Sequence, residues 1–449
     1  MRNQLGLKAA AIAALSVVLL LGLTWIGSLV TERQARRDGV IHDIAASSSY
    51  PQRIEGPILV VPYQKTRREW KFDSVNGRHL EEFQVPGRLL ILPEEFELDG
   101  KIPTELRKRS IYAARLYHAN LQIHATFDIP VHYGVGDDWA SYHFEPPVIA
   151  LGLSDIRGIQ NVSKISLNGQ PSKILAGSTS EVLGSGLHAL VPAVDESQLA
   201  HVDFQMELGL QGTSQFSVIP VGRASRIELE SDWPNPSFNG AYLPTQHKVT
   251  SSGFQAQWAT SFFSTNLEEA MSTCAAGGSC KEVEDRVLGV SFVDPVDQYL
   301  KTDRAIKYAF LFISLTFAGF FLFEVLKKLA VHPIQYSLVG AALALFYLLL
   351  LSLSEHIGFA LAYLASSSAC VLLIGFYVSG ILRSVRHGVG FAAVLTLLYA
   401  ALYGLMGADD YALLLGSVLV FGVLAAVMVL TRDVDWGNLR RAGGLAGEE

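Results

Sequence analysis

Six apolar segments frame this 449-residue chain, and their distribution is lopsided. One lies at residues 9–30; the other five lie at 306–325, 336–353, 358–380, 389–407 and 411–430. Each is close to the roughly 20 residues that a helix needs to cross a hydrocarbon core ~30 Å thick. Charged residues make up 17% of the chain, against about 25% in ordinary soluble domains. The deficit falls in these segments, while residues 31–305 have the polar composition of a globular domain. The fold expected is therefore a membrane protein with six transmembrane helices, one plus five. A large, mostly antiparallel, sandwich-like β domain is inserted after the first helix. Residues 1–8 and 431–449 form short flanks.

The apolar run Ala9–Val30 follows Arg2 and Lys8. It is longer than the ~7–15-residue core of a secretory signal and lacks a small-x-small cleavage site, so an uncleaved anchor is expected. The connectors set the topology. Lys327, Lys328 and His332 follow the second segment, Arg383, Arg386 and His387 the fourth, and Arg432, Arg440 and Arg441 the sixth. The two remaining connectors, "SEHIG" and "GADDY", hold no Lys or Arg. This alternation is the positive-inside pattern. It places both termini in the cytoplasm and residues 31–305 on the exported, periplasmic side of a bacterial inner membrane. Arg33, Arg36 and Arg37 run against the rule, which long translocated domains tolerate.

Strand periodicity dominates the exported region. In "YHANLQIHATFDI" (117–129), Tyr117, Ala119, Leu121, Ile123, Ala125, Phe127 and Ile129 alternate with polar residues, which predicts a half-buried strand. "HVDFQMELGL" turns Val202, Phe204, Met206, Leu208 and Leu210 to one side in the same way. Asn168-Gly169 signals a type I′ hairpin. "SDWPNPSFNG" reads as a long structured loop, and helical periodicity is confined to about Asn266–Ser272. Of the three cysteines, Cys370 falls inside a spanning segment. Cys274 and Cys280 bracket "AAGGS" in the exported domain, where an oxidising compartment favours a structural disulfide.

Motifs for the commoner enzyme classes are missing: no phosphate-binding loop, no G-x-S-x-G, no H-E-x-x-H and no dinucleotide fingerprint. No catalytic, cofactor-binding or metal-ligating residue is assigned, and no basic block points to nucleic acid. His118 and His124 share a strand face but are six residues, or ~20 Å, apart, too far to ligate one ion. The interiors of the third to sixth spanning segments hold no ionisable residue, whereas ion-coupled transport uses a charge at membrane depth. Glu324, near one end of the second, is placed to pair with Lys327 and Lys328. Three polar clusters gather on the exported side. Asp297, Lys301, Asp303, Arg304 and Lys307 form one, Glu355 and His356 a second, and Asp409 and Asp410 a third. They read as helix caps or as a docking ring that couples domain to bundle, with Lys301, Arg304 and Lys307 paired to Glu355, Asp409 and Asp410.

Several long strings resemble the CreD family of bacterial inner-membrane proteins. They are "GPILVVPY" in part, "LSDIRGI", "SDWPNPSFNGAYLP", "SGFQAQW", "PVDQYLKTDRAIKYAFLFI" and "HPIQYSLVGAALALFYLLLLSLSEHIGF". The resemblance covers nearly the whole chain. It implies a Gram-negative envelope protein under Cre two-component control, linked to envelope integrity and stress tolerance. It brings no reaction and no ligand, and the Cys274–Cys280 segment reads as a local elaboration. Two functions are compatible. One is a non-enzymatic envelope protein whose partners are the lipid bilayer and envelope proteins or lipids. The other is a transporter or amphiphile-handling protein without ion coupling.

Overall fold

The computed structural model describes residues 2–73, 77–192, 195–292, 294, 298–327, 331–407 and 412–432. The chain divides into a helical unit, residues 1–38 and 296–449, and a sheet unit, residues 39–295.

The described residues form six long helices: Arg2–Ser47, Gln298–Lys327, Pro333–Ile357, Phe359–Ile381, Val385–Gly407 and Ala412–Thr431. Among the described residues five of them, the first through the fifth, are long and apolar enough to cross a membrane; the sixth contributes the shorter apolar stretch Leu414–Ala425. The first helix runs well past the apolar segment 9–30. "TERQARR" is rich in helix formers, Glu32 pairs with Arg36 one turn on at 2.6 Å, and the first proline comes at Pro51. Between the second and third helices the chain turns into Pro333 at the first helical position, with His332 accepting from the Ile334 amide. Gly358, at φ 77°, separates the third helix from the fourth.

The helical unit has one core. Leu23 and Ile26 of the first helix join Ala309 and Phe312 of the second, Phe346 and Leu350 of the third, Ile374 of the fourth and Leu402 of the fifth. Its outer surface is apolar as well: Leu372, Phe376, Leu397 and Phe421 are each more than 70% exposed. In water that surface would be a liability; against lipid tails it is the solvent-matched surface of a spanning bundle.

The sheet unit holds, among the described residues, two nine-stranded sheets. The first is built around Gln52–Asp73, flanked by Val148–Leu153, Gln215–Ile219 and the long partner strand Gly77–Ile91. The second is built around Tyr112–Ile129, between Glu95–Lys101 and Ala200–Thr213. Pairing is antiparallel except where Gln52–Glu55 lies beside Phe216–Ile219 and Glu95–Lys101 beside Ala224–Glu230. The alternation of residues 117–129 is the burial found: the seven apolar residues of that face are at most 2% exposed. Asn168 and Gly169 both take positive φ, 50° and 73°, as a type I′ turn requires.

One continuous cluster of buried side chains draws on both sheets, so the unit is a single sandwich. Aromatic contacts cross it: Tyr117 packs on Phe216 and Phe292 at 6.0 and 5.2 Å, and Trp258 on Phe238 at 5.7 Å. "SDWPNPSFNG" is more ordered than a loop, because Pro236–Gly240 forms an edge strand against Leu288–Phe292. Pro236 opens that strand, where its missing N–H leaves no gap in a central ladder. The short helix Leu267–Ala275 leads to a disulfide joining Cys274 and Cys280, with Cα atoms 4.7 Å apart.

The Tyr117 hydroxyl is the polar exception at the centre of this core. It donates to the Gln215 carbonyl at 2.7 Å and accepts from the Gln52 amide at 3.2 Å, and burial pushes its pKa far up. Tyr117→Phe leaves both backbone groups unpaired in the interior, at a cost of about 1–3 kcal/mol. Thermal unfolding of the full chain in detergent is expected to shift down by several degrees, at roughly 2–4 °C per kcal/mol; an unchanged transition would show that the hydroxyl contributes nothing.

Candidate functional site

The carboxylate of Glu355, in the last turn of the third helix, is the centre of a polar cluster in the helical unit. Its side chain is 8% exposed. The Tyr299 hydroxyl, from the first turn of the second helix, donates to Oε1 at 3.0 Å. The Arg33 guanidinium, from the first helix, reaches Oε2 at 3.8 Å. Arg37, one turn further along that helix, lies 5.6 Å from the centre of the Tyr299 ring. The Tyr299 ring is buried, as is Thr302 one turn on. Three helices are thus tied through one acid: the start of the second, the end of the third and the body of the first. A buried carboxylate is tolerated when hydrogen bonds and a cation satisfy it, and Tyr299 and Arg33 supply both.

The sequence pointed to this acid and to different partners. Lys307 pairs with Asp303 at 2.7 Å, one turn away on the same helix. Lys301 lies 5.7 Å from the Phe359 ring. Arg304 is half-buried and His356 exposed. Asp297, Asp409 and Asp410 lie outside the described residues. The cation that meets Glu355 comes from Arg33, which the topology rule had marked as an exception, and Tyr299 carried no signal beyond its place in "DQYLK".

A second buried acid lies where the second and third helices join. Glu324 is 7% exposed and faces inward, accepting from Tyr336 Oη at 2.8 Å and from the Val331 amide at 3.2 Å. Its neighbour Lys328 lies outside the described residues. In mid-bundle the polar groups satisfy one another. The Tyr363 hydroxyl donates to the Tyr399 carbonyl at 2.6 Å, the Tyr399 hydroxyl to Cys370 Sγ at 3.2 Å, and Ser366 to the Ala362 carbonyl at 2.6 Å.

In the sandwich, each histidine of the polar face has its own acid. His118 meets Glu105 at 3.1 Å, His124 meets Asp203 at 2.8 Å, and His201 meets Asp128 at 2.8 Å. Among the described residues no group of three or more His, Cys, Asp or Glu side chains is placed to hold a metal ion. Two shallow cavities of about 520 and 660 Å³ lie on this face and share Asp99, Gln122 and Glu207. Asp155, from "LSDIRGI", clamps the start of the sandwich: it accepts from the Tyr50 and Arg157 amides at 3.1 Å each and from Arg157 Nη2 at 2.7 Å. Arg157 in turn donates to the Ala46 carbonyl at 2.8 Å.

Two predictions follow from these partners. The Arg33–Glu355 pair is long and Arg33 is 42% exposed, so it contributes at most about 0.5 kcal/mol. The shielded Tyr299–carboxylate bond contributes about 1.5–3 kcal/mol. Tyr299→Phe is therefore expected to lower the melting temperature of the detergent-solubilised protein clearly more than Arg33→Ala, and the reverse order would refute this assignment. For Asp155, the Arg157 hydrogen bond leads in holding the carboxyl below its ordinary range, helped by the two amides. The unfolded chain thus takes up the proton first. The stabilisation is complete above the ordinary carboxylate range near pH ~4 and fades as the pH falls through the depressed folded value. Asp155→Asn should destabilise the sandwich at neutral pH by roughly 1–2 kcal/mol and converge with the parent protein in acid unfolding curves.

The family profile and the curated relative agree on one family. The profile described as "Inner membrane protein CreD" matches residues 4–437. The inner membrane protein CreD of Escherichia coli K12 is 35% identical over 439 residues, which cover 97% of this chain and 94% of that protein. Among solved structures, an M1 zinc metallopeptidase of Deinococcus radiodurans is 7% identical over 38% of each chain, with a TM-score of 0.19. Yeast LTA4 hydrolase is 9% identical over 37% of this chain and 26% of its own, with a TM-score of 0.18. Likeness at that level carries no argument about fold or chemistry. The match to the profile along nearly the whole sequence does: this chain belongs to the CreD family of inner membrane proteins.

Proposed function

We propose that the protein is a non-catalytic inner-membrane protein that supports cell-envelope integrity under stress, with its expression under Cre two-component control. It acts through contacts of the sandwich with envelope proteins or lipids, while the helices serve as anchor. Both termini are cytoplasmic and the sandwich is periplasmic, as the alternation of basic connectors favours.

The observation that carries this reading is where the acids of the bundle lie. Glu355 sits in the last turn of its helix and Glu324 beside the turn between two helices, and both are held by hydrogen bonds. The mid-bundle polar groups, Tyr363, Tyr399, Cys370 and Ser366, are neutral and bonded to one another or to the backbone. A pump or ion-coupled carrier works through a charge that changes state at membrane depth; this bundle is built as packing.

Two measurements test the reading. Leu199 is 71% exposed on the sandwich, and the three native cysteines are either in the disulfide or, as Cys370, buried. A Leu199→Cys variant in intact cells, with the outer membrane permeabilised, should react with a membrane-impermeant maleimide without lysis; labelling that requires lysis would reverse the orientation. Cells lacking the protein should be sensitised to detergent stress, and variants at Tyr299 or Glu355 that accumulate normally should restore resistance. Proton, ion or lipid movement by the purified protein in proteoliposomes would replace this reading with a transport function.

A further inference from the structure

The longest hairpin of the sandwich outruns the sheet that supports it. Strands Gln52–Asp73 and Gly77–Ile91 pair rung by rung from Leu59↔Ile91 to Asp73↔Gly77. Other strands join the ladder as far as Lys65, where Tyr142–Phe144 ends. From Thr66 outward, among the described residues, the two strands pair with each other alone, over about 23 Å at 3.3 Å per residue. An isolated two-stranded ribbon is marginal in water. This one also carries large apolar side chains at its outer end: Phe72 is 83% exposed, Trp70 61% and Leu80 44%.

Strand alternation sorts these residues. Thr66, Arg68, Trp70 and Phe72 share a face with their cross-strand partners Gln84, Glu82, Leu80 and Arg78. Arg67, Glu69 and Lys71 share the other with Phe83, Glu81 and His79. On the first face Arg68 is neutralised by Glu82 at 2.6 Å, and the Arg78 guanidinium lies 4.7 Å from the centre of the Trp70 ring. That face therefore bears three exposed apolar side chains and one cation in excess. The second face has Lys71 bound to Glu81 at 2.6 Å and Arg67 near Glu69 at 3.5 Å, so its described cations are matched by acids. Among the described residues the ribbon is amphipathic: three exposed apolar side chains and one cation in excess lie on one side, and mutually neutralised ion pairs on the other.

We propose that the Trp70–Phe72–Leu80 face, with Arg78, docks on the surface of an anionic phospholipid membrane. Trp partitions into the headgroup region, where its amphipathic ring is half wetted, and Phe and Leu bury their apolar side chains at the headgroup–acyl boundary. Arg78 matches a lipid phosphate by charge and by its fork of donors. Arg68 enters already neutralised, so it adds little desolvation cost. The face opposite fixes the sense of the contact, since its ion pairs are already neutralised and turning the ribbon over would lose both the excess cation and the exposed apolar side chains. This names a lipid partner for the sandwich and deepens the proposed function, but its test reads the ribbon directly and does not depend on stress survival.

The probe is a single introduced cysteine carrying an environment-sensitive nitrobenzoxadiazole dye, in the full chain reconstituted into vesicles. Phe72→Cys reports the apolar face, Glu69→Cys the opposite face, and Leu199→Cys an exposed site elsewhere on the sandwich. In vesicles containing phosphatidylglycerol, the dye at 72 should shift to the blue and lose emission to nitroxide-labelled lipids, while the dyes at 69 and 199 stay water-like. Arg78→Glu in the Phe72→Cys background should reverse the shift, as should vesicles of phosphatidylcholine alone. All three positions are exposed, so labelling leaves the core intact. A water-like dye at 72 in both kinds of vesicle overturns the proposal and leaves the ribbon for a protein partner; equal quenching at 72 and 69 overturns the facial assignment.

Discussion

Backbone hydrogen bonds must be satisfied wherever water is excluded, and the whole chain obeys that demand in two ways. Where the surroundings are lipid, each segment closes its own bonds as a helix, because a lone strand would strand its N–H and C=O groups at several kcal/mol each. Where water is at hand, the bonds run between strands, and side chains alternate between a wet face and a dry one. The same demand explains the polar residues that are buried. Tyr117 closes two backbone groups at the centre of the sandwich, Glu324 closes the Val331 amide at a helix turn, and Asp155 closes two amides where the sandwich begins. These side chains stand in for backbone partners at places where neither a helix nor a ladder can continue.

Seen this way, the acids of the bundle belong with its architecture. Glu355 and Glu324 sit at helix ends, each bonded to a tyrosine hydroxyl from an adjoining helix. Tyrosine suits this task because its ring packs as an apolar side chain while its hydroxyl donates at the end of a rigid arm. Mid-bundle, the hydroxyls of Tyr363 and Tyr399 bond to a carbonyl and a thiol within the same core. A core of that kind holds helices in register.

Strand faces were legible in the sequence wherever one side is dry. The run 117–129 alternates without a break, and each of its inward residues is buried. The Asn168-Gly169 turn was legible for a local reason, since positive φ at two successive positions favours Asn and Gly. The edge strand Pro236–Gly240 was not, because it exists through its partner 288–292, and two prolines argue against it locally. The polar cluster was half legible: Glu355 stood out as an acid at the end of an apolar helix, whereas its partners come from residues 33 and 299. Nothing in a linear pattern says which distant side chain meets it. Likewise nothing in the local pattern shows that the Glu324 carboxylate accepts from Tyr336 and the Val331 amide.

What the residues alone determined is what depends on solvent and period: which segments are apolar enough to cross a bilayer, that a sheet-rich domain lies between them, and which strand faces turn inward. Hydropathy and alternation act over a few neighbours and are written into the chain. Only the tertiary structure decided the order of strands in two sheets, the partners of the buried acids, and the ribbon that runs on beyond its sheet with Trp70 and Phe72 exposed. Those features are set by contacts between particular side chains and strands, from a few to hundreds of positions apart, whose energies depend on distance and orientation that no local pattern encodes.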